Sequence, residues 1–475
     1  MVFPQIYGLF LSLICSANGL GIEGYHFTYD GEPIYIVGSG MEGIGTENSP
    51  DGERWESWKG YIDMLSDHQT EHVRFRIRFF PWSFCWEEPG AAKSPWRVVD
   101  PRKPLYDLHR FNPRFWELAK RICSYAERKG VLVELVLFDR CSLERWRAGE
   151  RWFRHPWNAD CGGPIKARDG KGEFYTLAQP DNLNLFEEPF SPGWEWARKS
   201  QWFQQRYVKK AIDELSGFRN VYWEIVNEME GFDDLRVRWV KHWIDFLHSH
   251  DRQDRPISFS GLNPFRGDEV YYRLPGLDIV QCHADTYEVG DRIRRLRKYG
   301  KPVMVDEAFW HGKRPEDWKK PSSEQVKIER WSFWNAFVAG GHTTAVCWQS
   351  FTKRPIHDWL RIFALFVENT RFTELEPHDD LILSAPPDLR VHAAASSGGE
   401  YVIYCLSEGT YTPSSSDEDI KLKLKPGRYA LTISDPKSGR RISRSSLSAG
   451  GELSAIKLPP FSEDLVIHMC KEKNR

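Results

Sequence analysis

Two stretches of this chain run an apolar segment straight into a carboxylate. Val221-Tyr222-Trp223-Glu224-Ile225-Val226 leads into Asn227-Glu228, and Pro302-Val303-Met304-Val305 leads into Asp306-Glu307. A glutamate at the end of an arbitrary strand is usually just solvated. Two of them facing each other across one cavity could instead do displacement chemistry at an anomeric carbon. One carboxyl would protonate the leaving oxygen while the other attacks from the opposite face, which needs the groups about 5–5.5 Å apart. Like charges at that distance raise one pKa, leaving an acid and a nucleophile at neutral pH. Asn227, beside Glu228, has an amide that could donate to a sugar hydroxyl.

That chemistry requires elements that bring the two ends together. Short apolar strands are predicted at 33–38, 73–77, 131–138, 221–226, 256–260, 278–282, 302–305 and 344–348. Helical periodicity falls at 55–65, 115–129, 200–216, 236–250, 291–299, 323–339 and 358–368. Strands that are apolar throughout belong to sheets buried on both faces. Eight of them alternating with helices predict a (β/α)8 barrel, which opens its site at the C-terminal ends of the strands. On that count Glu228 ends strand 4 and Glu307 follows strand 7, across the barrel mouth. Two insertions, about Pro81–Asn112 and Cys141–Lys199, follow strands and would rise over the same face. They carry Trp82, Trp86, Trp96, Trp146, Trp152, Trp157, Trp194 and Trp196, candidates for stacking on sugar rings. Gly38-Ser39-Gly40-Met41-Glu42-Gly43 spells a dinucleotide-type glycine pattern, but the acidic strand end that such a fold needs is missing.

The expected organisation is a barrel over 21–375 and a small antiparallel β-sandwich over 376–475, where helical periodicity gives way to short strands and turns such as Lys425-Pro426-Gly427. Residues 1–20 read as a possible signal peptide: an apolar run from Ile6 to Cys15, then small residues, though no basic residue precedes the run. A secreted or periplasmic protein is therefore expected. The run is too short for a comfortable membrane span, and nothing later is long enough.

Lys and Arg number 65 against 67 Asp and Glu, so no overall field favours nucleic acid or an anionic membrane. The nine cysteines include no CxxC pair. Cys282, Cys347 and Cys405 lie in apolar runs and read as buried thiols, while Cys141 and Cys161 are candidates for a bridge. No HExxH and no GxSxG elbow occur, and no predicted helix carries a His pair at helical spacing, so no metal site and no cofactor are expected.

Arg219 to Glu228 and Lys301 to Ala308 resemble the strand-4 and strand-7 motifs of the clan A retaining glycoside hydrolases, the cellulase, mannanase and apiosidase-like enzymes among them. The resemblance covers about 25–375, and the C-terminal part resembles the β-sandwich that some clan members append. It implies Glu228 as acid/base and Glu307 as nucleophile. It maps the arginine that orients the nucleophile to Arg74, with Arg76 and Arg78 as rivals. His283 and Tyr287 resemble residues that contact nucleophile and substrate, and Trp348 a platform under the sugar. The stretch Gln69-Thr70-Glu71-His72 departs from the family, as relatives often carry Gly-x-Asn there. The implied activity is hydrolysis of a poly- or oligosaccharide by double displacement. The alternatives are a carbohydrate-binding barrel without catalysis, or a transglycosidase using the same pair.

Overall fold

A computed structural model describes residues 19–43, 55–80, 94–100, 103–139, 155–164, 195–229, 234–261, 268–309, 323–345, 354–413 and 419–472. The barrel half runs β1 (Leu20–Glu23), β2 (His26–Tyr29), β3 (Glu32–Gly43), α1 (Trp55–His68), β4 (Val73–Phe80), β5 (Trp96–Asp100), β6 (Leu105–Phe111), α2 (Pro113–Arg128) and β7 (Leu132–Asp139). It continues through α3 (Glu195–Leu215), β8 (Val221–Asn227), α4 (Asp234–His250), β9 (Ile257–Gly261), β10 (Ile279–Asp285), α5 (Val289–Leu296), β11 (Val303–Phe309), α6 (Ser323–Val338), β12 (His342–Ala345) and α7 (Arg354–Glu368).

Strands β3, β4, β7, β8, β9, β10, β11 and β12 pair in parallel in that order, and the β12–β3 and β3–β4 pairings close the ring. This is the eight-stranded barrel expected from the sequence, with β8 and β11 as its fourth and seventh strands. Helices form where apolar residues recur every three or four positions. In α2 the buried Phe115, Trp116, Ala119, Ile122, Cys123 and Ala126 share one face, Pro113 opens the first turn, and Gly130 follows at φ 72°.

The barrel interior is stacked in layers. Its floor is apolar: Ile36, Leu132, Tyr222, Ile279 and Met304 pack together under the β1–β2 hairpin, which contributes Leu20 and Phe27. Above it the interior turns ionic. In β4 the outward side chains Val73, Phe75, Ile77 and Phe79 join the core against the helices. The alternation of a strand therefore sends Arg76 and Arg78 inward. Arg76 pairs with Glu134 at 2.6 Å and donates to Thr344 at 2.5 Å. Gly38 leaves room for it, since a Cβ there would lie 2.7 Å from its Nη2. Glu134, the one charged residue of β7 before Asp139 at its end, also accepts from Ser258 at 3.0 Å.

After the barrel come β13 (Glu376–Pro377), β14 (Ile382–Ser384), β15 (Arg390–Ala395), β16 (Glu400–Tyr411), β17 (Ile420–Leu422), β18 (Gly427–Ser434), β19 (Arg441–Ala449), β20 (Ser454–Ile456) and β21 (Phe461–Lys471). They make a six-stranded sheet, β13-β15-β16-β21-β18-β19, and a three-stranded one, β14-β17-β20. Between them Tyr401, Ile403, Cys405, Leu422, Leu431 and Ile467 form a separate core. Among the described residues no helix is long and apolar enough to cross a membrane.

Two expectations change. Cys161 is a buried free thiol, so it makes no bridge to Cys141, which itself lies outside the described residues. Trp96 and Trp157 do not line a sugar site. They are buried edge to face at 5.3 Å, and Trp157 reaches Phe203 of α3 at 6.5 Å. The described parts of the two insertions are thus partly core. Cys282 and Cys405 are buried free thiols, as their apolar surroundings suggested.

Candidate active site

The mouth of the barrel is built on Arg78, near the C-terminal end of β4. Its guanidinium donates to Glu224 through Nε at 2.8 Å and Nη2 at 2.5 Å, to Glu307 through Nη1 at 2.8 Å, and to the Asn227 side-chain oxygen through Nη2 at 2.8 Å. Asp306 lies 2.8 Å from the same Nη2. Asn227 in turn donates to Asp139, its register partner at the end of β7, at 2.9 Å. All six residues are buried.

A regular strand would aim neighbouring side chains to opposite faces, yet Asn227 and Glu228 both turn into this cluster. Glu228 sits at φ 58°, in the left-handed region that non-glycine residues seldom occupy. That twist keeps its carboxyl on the inner face, and the chain then rejoins β9 through the Met229 N–H donating to Ser260 at 3.1 Å. A second irregularity does the same on β11. Cys282 pairs with Val305 and His283 with Glu307, so Asp306 is an extra, bulged residue. Asp306 and Glu307 therefore both reach Arg78. Backbone distortions of this kind cost stability and concentrate at functional sites.

Glu228, His283 and Glu307 converge. Each offers an atom, and the three atoms lie within 4.8 Å of one another. His283 Nδ1 is 3.8 Å from Glu228 Oε1, and its Nε2 is 3.6 Å from Glu307 Oε1. Such a trio could hold a divalent ion, but Arg78 already supplies a fixed cation to Glu307.

Burial pushes the Glu307 carboxyl well above the ordinary range. Arg78 opposes that rise, while Glu228, Asp306 and Glu224 add to it. Glu224 is raised for the same first reason, against the pull of Arg78. Asp306 is raised by burial but held below its usual value overall by Arg78, His283 and Ser260. Two guanidiniums thus face a larger number of acids, and the adjacent Asp306 and Glu307 are shifted in opposite directions.

The structure brings together Glu228, Glu307, Asn227 and His283. It does not bring Arg74 to them. Arg74 enters β4 a full strand turn earlier, at the barrel floor, and its guanidinium lies 5.9 Å over the Tyr29 ring. Arg78, a rival in the sequence, makes the contact to Glu307. The signal was available: of three inward arginines, the one nearest the C-terminal strand end must be at the mouth. Tyr287 follows β10, with its ring 6.0 Å from Trp331 and the Arg390 guanidinium of the sandwich 4.8 Å over it. Trp348 lies outside the described residues. Sequence reasoning assigned no role to Glu224, Asp306 or Asp139.

No family model matches the chain, and no curated protein sequence does. Solved structures do share its fold. A protein described as a glycoside hydrolase is 12% identical, with a TM-score of 0.63, over 97% of this chain and 98% of its own. A family 5 glycoside hydrolase from Bacteroides vulgatus is 12% identical, with a TM-score of 0.62, over 96% of this chain and 93% of its own. A candidate glycoside hydrolase from the same organism is 16% identical, with a TM-score of 0.62, over 96% of this chain and 83% of its own. Barrel and appended sandwich together are thus a fold that glycoside hydrolases use.

Proposed function

We propose that this chain is a retaining glycoside hydrolase acting on a poly- or oligosaccharide. The observation that carries the reading is the placement of Glu228 and Glu307 at one barrel mouth with carboxyl oxygens within 4.8 Å. That is close to the about 5–5.5 Å of double displacement and short of the roughly 6.5–9.5 Å that leaves room for a water in inversion.

In the first step a Glu307 oxygen bonds to the anomeric carbon as the glycosidic bond breaks, and Glu228 passes its proton to the departing oxygen. In the second, Glu228 takes a proton from water, the water oxygen bonds to the anomeric carbon, and Glu307 leaves as carboxylate. Burial favours the protonated form of Glu307, and Arg78, by donating to it, is the group that opposes this and favours the carboxylate the attack requires. His283, between the two carboxyls, limits how far either can swing.

The test is a panel of plant, algal and microbial glycans with NMR of the first anomer released. Retention is expected, with turnover lost in Glu228→Gln and Glu307→Gln. A Glu307→Gly variant supplied with azide should give a glycosyl azide of inverted configuration. An inverted sugar product from the parent enzyme, or azide rescue at Glu228 alone with inversion, would sink the assignment.

A further inference from the structure

Far from the barrel mouth, β16 and β21 of the sandwich place three ligand-type side chains on one point. Glu400 and Cys470 are direct cross-strand partners in the antiparallel register, and His468 lies two residues before Cys470 on the same face of β21. His468 Nε2 is 2.7 Å from Glu400 Oε1 and 3.4 Å from Cys470 Sγ, and the three atoms lie within 4.8 Å of one another. One nitrogen faces both partners. A single proton on it can be directed well at only one of them, whereas a metal ion on its lone pair can serve all three. The neighbours across β18 on this face, Ala430 and Thr432, are small.

We propose that Glu400, His468 and Cys470 form a binding site for a zinc-type divalent cation. Thiolate, imidazole and carboxylate are the borderline-soft donors that such an ion takes, at about 2.3, 2.0–2.1 and 2.0–2.2 Å. Tetrahedral angles at those lengths put neighbouring donors about 3.3–3.6 Å apart. The sulfur–nitrogen gap already has that size, and the nitrogen–oxygen gap needs to open by only a fraction of an ångström. Binding releases the Cys470 thiol proton to solvent and clears Nε2 of His468, whose ring keeps one proton on Nδ1, so that any second imidazolium proton also passes to solvent. His468 is 20% exposed and Cys470 is partly exposed, so an ion can enter and a water can complete the shell.

The site also lies on the seam with the barrel. Arg371, just beyond α7, donates through Nε to the other oxygen of Glu400 at 2.9 Å, and Phe366 of α7 meets the His468 ring edge-on at 5.6 Å. A bound ion would therefore fix the ends of the two central sandwich strands beside the last barrel helix.

The full reduced chain is titrated with Co2+. The expected result is a thiolate-to-cobalt absorption in the near ultraviolet that saturates at one ion per chain and is bleached by Zn2+. The band should disappear in Cys470→Ser and weaken at least tenfold in His468→Gln, with circular dichroism unchanged in both. Zn2+ should raise the melting temperature of the parent chain and not that of Cys470→Ser. Among the described residues the other metal-type clusters lack a thiol, and loss of the band in Cys470→Ser assigns it to this one. Absence of a thiolate band at one equivalent, or its survival in Cys470→Ser, overturns the proposal. Neither result depends on whether the barrel hydrolyses glycosides.

Discussion

Arg78 holds Glu224, Asn227 and Glu307 with three nitrogens of one rigid fork, a geometry that no ammonium reproduces. Arg78→Lys keeps the charge and loses the fork. We expect kcat on any substrate the enzyme accepts to fall by about 10²-fold or more, the usual loss when one aligned donor is removed from a reacting group. Arg74→Ala should leave kcat within a few-fold of the parent, because Arg74 stacks on Tyr29 at the barrel floor. Side-by-side kinetics on one substrate decide between the two arginines. Glu307 gives a prediction in pH. Burial raises its folded-state pKa, so the folded chain holds that proton more tightly than the unfolded one. The associated stability is fully present in acid and is lost as pH rises from the ordinary glutamate range through the raised value. Glu307→Gln cannot ionise and escapes that loss. Calorimetry should find this variant more heat-stable than the parent at neutral pH, with the gap closing in acid. A gap that widens in acid would contradict the sign.

At the level of the strand, the site depends on two breaks in regularity, and these were the features that the sequence concealed. Hydrophobic runs and intervening periodicity revealed all eight barrel strands and the chain ends that carry Glu228 and Glu307, because burial on both faces leaves an unmistakable pattern. The twist at Glu228 and the bulge at Asp306 leave none, since both are produced by tertiary pairing. Without the bulge, Asp306 reads as facing away from Glu307. Arg74 was favoured over Arg78 by motif alignment, when distance along the strand was the better guide. In the sandwich, β19 carries no clear signal because it is an edge strand whose stretch Arg441-Ile442-Ser443-Arg444-Ser445-Ser446 has a single apolar residue, and only Ile442, Leu447 and Ala449 of the strand pack, partly buried, on the core. The left-handed turn is testable by itself. Asn is several-fold more frequent than most residues at positive φ, worth about 1 kcal/mol. Glu228→Asn and Glu228→Gln both remove the carboxyl, so both should be inactive, but Asn should give the more stable protein by roughly that amount. Equal denaturation midpoints would mean that the turn is not under backbone strain.

For the whole molecule the question is what binds the sandwich to the barrel. Arg330, on α6, is fully buried and reaches across to β21. It donates to Asp464 through Nε at 2.9 Å and Nη2 at 2.7 Å and to Glu463 at 2.8 Å, and it lies 4.5 Å over the Trp359 ring. Tyr404 of β16 donates to the same Asp464 at 2.9 Å and stacks its ring on Trp334 of α6 at 5.8 Å. Burial pushes Asp464 up despite Arg330, so its charge is tolerated only because the cation is there. Arg330→Met removes the cation and strands that acid. Breaking a buried pair from one side costs about 3–5 kcal/mol, whereas replacing both members with apolar residues is often close to neutral. Arg330→Met should therefore melt well below the parent. Adding Asp464→Leu should recover part of the loss, the remainder being the Tyr404 hydroxyl left without its acceptor. Glu463 is one-fifth exposed and can turn to water, so it should not add to the cost. If the single substitution is near neutral, the seam is held by Trp334 and Tyr404 instead, and the sandwich is attached by apolar contact with the ion pair only setting its register.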